Sequence, residues 1–102
     1  MALYKVLISP LAHKTYKANI SYLEQQWTQK EVIHFITKVS EIVAIVKVSP
    51  TTFQKWHYNA NIHKIEIVKQ ITLYYQIAGK EVHLLLFWNN LQDPTNLLKF
   101  LQ

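Results

Sequence analysis

The segment from Asn61 to Asn96 constrains the fold most strongly, because it contains three strand-like runs at hairpin spacing. The chain's only glycine, Gly79, lies between the second and third runs, where a two-residue type II′ hairpin needs a residue that adopts positive φ. The segment closes with an Asp93-Pro94 turn signal. These features predict an antiparallel sheet in the carboxyl-terminal half of the chain.

The three runs differ in their apolar pattern. The first alternates around Ile65–Ile67, the second covers Ile71–Ala78, and the third covers Val82–Trp88. The continuous apolar stretch Leu84–Phe87 is typical of a central strand that is covered on both faces. The Lys69-Gln70 connection is a weaker turn signal, because neither residue readily adopts positive φ.

The amino-terminal half predicts a short strand, Leu3–Ile8, followed by a helix. Ser9 can cap that helix, and Pro10 suits its first position because proline lacks the N–H that would go unpaired there. The helix should extend to about Trp27. Its apolar stripe recurs at steps of four, three and four residues and comprises Tyr16, Ile20, Leu23 and Trp27.

A second helix is predicted from Thr28 to about Val46. Thr28 and Glu31 have the spacing of a capping box, in which each side chain accepts a hydrogen bond from the other's backbone N–H. The apolar positions at helical spacing are Val32, Ile36, Val39, Val43 and Val46. The β-branched stretch Ile42–Val48 could instead begin a strand, but the helical period holds throughout.

The rest of the chain completes the predicted architecture. Residues Phe53–Asn61 lack a period and are predicted to form a loop, and Leu97–Leu101 should form a short helix or an added strand. We therefore predict one α+β domain over residues 1–102. Its order is β-α-α-β-β-β, with an antiparallel sheet packed against an N-terminal helical hairpin.

Composition excludes several classes of function. The 102-residue chain is 50% apolar and has no cysteine, which removes disulfides, thiolate metal sites and thiol catalysis. No apolar run approaches the roughly 20 residues that cross a bilayer, and the first residues lack the apolar core of a secretory signal. We expect a cytoplasmic protein without membrane association.

The charge pattern favours an acidic partner. The formal charge is +5, and all eleven cationic residues are lysines. Arginine supplies the planar fork that reads guanine edges and phosphate bidentately, whereas lysine offers a point charge. Non-specific nucleic-acid binding or protein binding is therefore favoured over base-specific recognition; a merely solvated lysine surface is the alternative.

No group of residues indicates catalysis, a metal or a cofactor. The five histidines have no metal-binding spacing, and one glycine cannot build a phosphate loop. Trp56, Trp88 and Tyr74-Tyr75 could stack nucleobases or simply pack in the core. The amides of Asn89-Asn90 should either cap a turn or face a ligand.

Several segments resemble the RelE/ParE family of bacterial toxins, and most closely its ParE-like, plasmid-stabilisation branch found in Bacteroidetes. The most specific match is Phe87–Pro94, which reads Phe-Trp-Asn-Asn-Leu-Gln-Asp-Pro. The other matching segments are Ile8–Ala12, Tyr22-Leu23, Gln26-Trp27, Ser49-Pro50, Ile62–Lys64 and Val68–Tyr75. The resemblance implies a growth-inhibiting toxin that a cognate antitoxin, usually encoded next to it, neutralises.

The two branches of this family imply different targets. RelE-type toxins cut messenger RNA in the ribosome with two lysines, two arginines and a tyrosine. The resemblance places the lysine positions at Lys64 and Glu66 and the first arginine position at Thr72. The last two positions fall on Asp93 and Leu97. Only one of the five roles is kept, which argues against this ribonuclease activity.

ParE-like toxins bind DNA gyrase instead, and the resemblance implies that target here, with a ribosome–mRNA target as the alternative. The surface that we expect to contact the target or the antitoxin comprises Lys55, His57, His63, Lys64 and Lys69, with Trp88, Asn89 and Asn90 beside them. A divergent ribonuclease that uses Lys64 and a histidine, or an inactive family member, are the other hypotheses. The leucine-rich tail could form a homodimer or antitoxin contact, or only cover the sheet.

Overall fold

The computed structural model describes residues 3–101 and shows an α+β fold in which a pair of helices precedes most of the sheet. This confirms the predicted fold class. The elements in chain order are β1 (Lys5–Ile8), α1 (Pro10–Gln26), α2 (Gln29–Val48), β2 (Lys55–Trp56), β3 (Asn59–Val68), β4 (Ile71–Ala78), β5 (Glu81–Asn89) and α3 (Pro94–Leu101).

The described strands form one five-stranded sheet in the order β1-β5-β4-β3-β2. The pairs β2–β3, β3–β4 and β4–β5 are antiparallel, as predicted, whereas β1 pairs with β5 in parallel. Apolar periodicity carries no information on strand direction, so it did not indicate the parallel pair. Strand β2 lies inside the predicted Phe53–Asn61 loop, because two residues are too few to show a period.

The two turns between long strands use different solutions. Gly79 has φ +61 and is the one described residue with positive φ, which matches the predicted type II′ hairpin between β4 and β5. The Lys69-Gln70 turn contains no positive φ. A register shift between Glu66 and Val68 accompanies this turn. The irregular backbone of β3 thus makes up for turn residues that do not adopt positive φ.

The helix starts show one confirmed cap and one correction. The Ser9 hydroxyl accepts a hydrogen bond from the Ala12 N–H at 2.9 Å, and Pro10 follows as predicted. The capping box at α2 is not formed, because the Thr28 side chain makes no capping hydrogen bond. The buried Glu31 Oε2 atom also has no partner among the described residues.

The buried stripe of α2 differs from the predicted one. Ile36 is 41% exposed, whereas its neighbour Phe35 is 0% exposed. Phe35 packs edge-on against Phe87 and tilted against Tyr16, with ring centroids 6.3 and 5.7 Å apart. Trp27, predicted in the stripe of α1, is 39% exposed because it follows the last residue of the helix. Aromatic packing against β5 therefore sets the rotation of α2.

Both faces of the sheet are covered. The face toward α1 and α2 carries Ile71, Leu73, Tyr75, Leu84 and Phe87. The opposite face carries Trp56, Ile62, Tyr74, Leu86 and Trp88, and we call these five residues the aromatic face. Helix α3 covers the aromatic face with Leu97 and Leu101. The carboxyl-terminal leucines thus form a helix, one of the two predicted conformations.

The outer edge of β5 is completed by side chains of α1 and its cap. Strand β1 ends at Ile8, opposite Leu84, so the rest of β5 has no neighbouring strand on that side. The Ser9 hydroxyl donates to the Leu85 carbonyl at 2.9 Å. The Phe87 N–H donates to Thr15 Oγ1, and Asn19 Nδ2 donates to the Phe87 carbonyl, both at 2.9 Å. Helix α1 therefore takes the place that a longer β1 would occupy beside β5.

Tyr75 fixes the loop between α2 and β2. Its hydroxyl donates to the Pro50 carbonyl at 2.6 Å, and its ring stacks on His63 at a centroid distance of 5.3 Å. The Nδ1 atom of His63 lies 3.0 Å from the Phe53 carbonyl. Burial raises the pKa of Tyr75 to about 12, and a hydrogen bond from the Phe53 backbone partly offsets that rise.

We predict that Asn19→Ala lowers the free energy of unfolding by about 1–3 kcal/mol, because it leaves the buried Phe87 carbonyl without a donor. Urea denaturation measures the change. Asn61→Ala is the matched control, since Asn61 is exposed on β3, and it should change stability by no more than about 0.5 kcal/mol. Equal effects of the two substitutions would contradict the role assigned to Asn19.

We also predict a loss of stability at alkaline pH that depends on Tyr75. Because the folded-state pKa lies above the unfolded value of 10.0, this contribution is complete below pH 10 and disappears as the pH rises toward 12. The loss should be about 2–3 kcal/mol, at about 1.4 kcal/mol per pKa unit.

Denaturation series at pH 9 to 12 test this pH dependence. Tyr75→Phe should be less stable at neutral pH, because Pro50 loses its donor, but should have a flatter pH dependence than the wild type. Tyr58→Phe is the control at a tyrosine that is 63% exposed, and it should keep the wild-type dependence. A wild-type slope in Tyr75→Phe would assign the alkaline loss to other groups.

Candidate functional site

The aromatic face is a packing surface and not a platform for nucleobases. Trp56 and Trp88 are each 5% exposed, and Trp56 packs edge-on against Tyr74 at 5.6 Å. Burial also raises the pKa of Tyr74. Of the two roles that the sequence left open for these aromatic residues, the structure shows core packing.

Three of the predicted surface residues lie on β2, β3 and the turn between them. Lys64 is half-buried and pairs with Tyr74, on the side of the sheet that carries the aromatic face. Lys55 is exposed on the edge strand β2. His57 is exposed in the turn, and its ring packs at a tilt of 38° against Tyr58 with a centroid distance of 3.9 Å. Lys55 pairs with His63, so it projects from the face of the sheet opposite Lys64, and a partner contacts both lysines only by reaching around this edge of the sheet.

Two predicted surface residues are buried. His63 is 5% exposed, because it follows the strand alternation onto the face opposite Lys64 and stacks there on Tyr75. Trp88 belongs to the aromatic face and is covered by α3. Neither residue offers an accessible side chain. Both pack in the interior, beneath the residues that a partner can contact.

The remaining predicted residues meet at the end of the sheet where β3 and β5 finish. The Asn90 N–H donates to the Gln70 carbonyl at 2.6 Å, and Asn90 Nδ2 donates to the Lys69 carbonyl at 3.2 Å. Thr72 Oγ1 donates to Asn90 Oδ1 at 3.1 Å. Asn89 Oδ1 accepts from the Leu91 N–H at 2.9 Å. The amides therefore fasten the turns, which was one of their two predicted roles.

The accessible predicted residues thus form two groups. One comprises Lys55, His57 and Lys64, and the other comprises Lys69, Asn89 and Asn90. His57 precedes the start of β3, whereas Lys69 follows its end, and this ten-residue strand separates them. A strand of that length spans about 30 Å. A large macromolecular surface can contact both groups, but a small ligand cannot.

A separate cleft lies between α1 and α3 above the second half of β5. Its volume is about 720 Å³. We call it the α1–α3 cleft. It is lined by Leu11, Lys14, Thr15, Ala18, Leu86, Phe87, Trp88, Gln92, Asp93, Asn96, Lys99 and Phe100. No sequence pattern indicates this cleft, because it depends on where α3 packs and not on a local motif.

Two lysines define the electrostatics of this cleft. Lys14 projects from α1 and Lys99 from α3, and both line the cleft. Within residues 3–101, the one contact between a basic side chain and a carboxylate joins His83 to Glu81 at 3.2 Å, so neither lysine lies within ion-pair distance of a carboxylate there. Asp93 is the one acidic residue in the lining. The cleft therefore combines apolar walls with an excess of positive charge.

Asp93 has a structural task at the start of α3. Its Oδ1 accepts hydrogen bonds from the Thr95 N–H at 3.0 Å and from the Thr95 hydroxyl at 2.9 Å. These bonds lower the pKa of Asp93, the backbone bond contributing most. The carboxylate thus caps the helix that the Asp93-Pro94 signal precedes.

The positions that the resemblance linked to RNA cleavage have other roles in this structure. Thr72 bonds to Asn90, Asp93 caps α3, and Leu97 is buried against the aromatic face. Within residues 3–101, no three histidine or carboxylate side chains are placed to hold a metal ion. No helix in that range is both long and apolar enough to cross a membrane.

Comparisons with known proteins bear on the fold. No protein-family model and no curated protein matches this sequence. The solved structure of the "Chromosomal ParDE TA system from P. aeruginosa" superposes with a TM-score of 0.69 at 10% identity, and the match covers 84% of this chain and 95% of that one.

A second solved structure, that of the YoeB dimer from Staphylococcus aureus, superposes with a TM-score of 0.54 at 14% identity. That match covers 79% of this chain and 90% of that one. At these identities the likeness concerns the backbone arrangement. It confirms the fold that the sequence resemblance implied: this chain has a RelE/ParE-like fold.

Proposed function

We propose that this protein is the toxin of a type II toxin–antitoxin system, that it inhibits growth by binding DNA gyrase, and that a cognate antitoxin neutralises it. The observation that carries the proposal is the backbone match to the ParDE structure over 84% of the chain, with a TM-score of 0.69. The match to the YoeB structure is weaker, with a TM-score of 0.54. The segment Phe87–Pro94 supports the same branch from sequence.

Binding without cleavage suits the chemistry of the chain. Cutting a phosphodiester needs groups that stabilise the charge of the transition state, and this chain contains no arginine. Lys64 and His63 lie on opposite faces of the sheet, so they cannot act on one phosphate as an acid–base pair. Thr72, at a position of the RelE-type catalytic set, is already bonded to Asn90.

The target-binding surface in this proposal consists of the accessible members of the predicted set. Lys55, Lys64 and Lys69 supply positive charge along β2, β3 and the turn after β3. His57 and the Asn89-Asn90 corner flank them. A lysine surface attracts an acidic macromolecule mainly by electrostatic steering, so its binding should weaken as the salt concentration rises.

We predict that the purified protein inhibits gyrase supercoiling. Lys55→Glu combined with Lys64→Glu should raise the concentration for half-inhibition by about tenfold or more, because each substitution replaces an attractive charge by a repulsive one. The control is Lys30→Glu combined with Lys47→Glu, which makes the same charge change at exposed positions of α2. The control pair should keep inhibition within about twofold of the wild type.

Controlled expression provides the cellular test. Induction should arrest growth with a DNA-damage response, and co-expression of the neighbouring open reading frame should relieve the arrest. Cleavage of messenger RNA by the wild-type protein in a translating extract, with supercoiling unaffected, would overturn the gyrase assignment in favour of a ribonuclease. Absence of arrest in both conditions would leave an inactive member of the fold.

A further inference from the structure

We propose that Tyr58 and a small hollow beside it form the anchor of the target-binding surface, and that this anchor takes one apolar side chain of an acidic protein partner. Naming gyrase as that partner rests on the proposed function, whereas the chemistry of the anchor follows from the residues around Tyr58. The lysines of β2 and β3 attract the partner, and Tyr58 holds it once it is bound. Tyr58 lies outside the set of surface residues predicted from the sequence.

Tyr58 is the most exposed of the tyrosines and tryptophans within residues 3–101. Its exposed fraction is 63%, against 39% for Trp27 and 5% for Trp56. Tyrosine, tryptophan and arginine supply most of the energetically dominant side chains of protein interfaces, and this chain contains no arginine. Tyr58 is therefore the side chain best placed to bury a large aromatic surface against a partner.

Neighbouring rings hold Tyr58 in position. The centroid of the His57 ring lies 3.9 Å from that of Tyr58, and the centroid of Trp56 lies 5.1 Å from it. Trp56 is itself fixed, because it is buried and packs edge-on against Tyr74 at 5.6 Å. A side chain that is already ordered loses little conformational entropy when a partner binds. Tyr58 thus combines exposure with pre-organisation.

A small hollow lies between Tyr58 and the start of α3. Its volume is about 130 Å³, and the described residues that line it carry no charge. They are Trp56, Tyr58, Pro94, Thr95, Leu97 and Leu98. An apolar cavity of about 150 Å³ holds a molecule the size of benzene, so this hollow has room for about one apolar side chain of a partner.

The charges near the anchor favour an acidic partner. Lys64 lies on the same side of the sheet as the hollow, and Lys55 and His57 flank Trp56 in the chain. The carboxylate of Asp93 is already engaged in capping α3. Charges at the rim of an interface act mainly on the association rate, whereas a buried aromatic anchor acts on the dissociation rate. The surface therefore divides these two tasks between its lysines and Tyr58.

A protein suits this anchor better than a stacked nucleobase. Edge-on pairs of aromatic rings have centroids roughly 4.5–7 Å apart, so the 3.9 Å distance places His57 over one face of the Tyr58 ring. Base stacking needs an open ring face. The chain also has no arginine to bind phosphate bidentately. The uncharged lining of the hollow instead fits an aliphatic side chain.

Binding kinetics of the full chain on immobilised DNA gyrase test the anchor. We expect Tyr58→Ala to raise the dissociation rate by about tenfold or more and to leave the association rate within about twofold of the wild type. Tyr58→Phe keeps the ring, so both rates should stay within about threefold. Ile33→Ala is the matched control, because it removes an apolar side chain that is 55% exposed on α2, and it should change neither rate.

Two further variants separate the hollow from the lysines. Leu98→Phe places a larger side chain in the lining of the hollow and should raise the dissociation rate. Lys55→Glu combined with Lys64→Glu should instead lower the association rate and reduce its dependence on salt. Circular dichroism verifies that each variant is folded. An unchanged dissociation rate in Leu98→Phe would remove the hollow from the anchor.

Growth arrest and a nucleic-acid probe complete the test. An unchanged dissociation rate in Tyr58→Ala, or an equal change in Ile33→Ala, overturns the anchor, while gyrase binding by the wild type keeps the proposed function. Arrest without gyrase binding removes the gyrase assignment, and the anchor then stands only if Tyr58→Ala relieves the arrest. Absence of both gyrase binding and arrest overturns both proposals. Binding of a labelled oligothymidylate that Tyr58→Ala abolishes would replace the protein anchor by a stacking site.

Discussion

On its inner side the backbone of β5 pairs with β4, but on its outer side beyond Leu84 it depends on side chains of α1 and of Ser9 for its hydrogen bonds. Strand β1 is too short to reach that part of β5, and an unpaired edge in this position would expose donors and acceptors to other chains. Ser9, Thr15 and Asn19 bind the backbone of Leu85 and Phe87 instead. A buried backbone group without a partner costs about 1–3 kcal/mol, so these bonds fix the position of α1 on the sheet.

The position of α1 determines where the α1–α3 cleft forms. Leu11, Lys14 and Ala18 line the cleft together with Thr15, whose hydroxyl also accepts the Phe87 N–H. Helix α3 covers the aromatic face through Leu97 and Leu101 but leaves the space between itself and α1 open. The polar contacts of α1 with β5 and the wall of the cleft therefore meet at Thr15.

Local sequence signals predicted most of the fold. The Ser9-Pro10 start of α1, the helical period of α2 and the single glycine at the β4–β5 turn each act over a few residues, so they can be read without knowledge of the neighbours. Other features depend on tertiary packing. Phe35 is buried in place of Ile36 because it packs against Phe87. Thr28 has the sequence position of a helix cap, but its side chain makes no capping hydrogen bond.

The candidate site was less predictable than the fold. The sequence identified the lysines, but it could not show that His63 turns toward Tyr75 while Lys64 turns away, since that depends on the register of β3. It also could not bring Lys14 and Lys99 to one cleft, because they are 85 positions apart in the numbering of the chain. Asn19 is a polar residue inside the apolar stripe of α1, and that position is a local indication of a buried hydrogen bond.

Hydrogen exchange at the Phe87 amide tests the central claim that α1 replaces a strand at the edge of β5. This N–H bonds to Thr15 Oγ1 and not to another strand. We predict that it exchanges as slowly as the amides between β4 and β5, and that Thr15→Val, which removes only the acceptor, accelerates its exchange by about tenfold or more. Fast exchange in the wild type, or no change in the variant, would contradict the account.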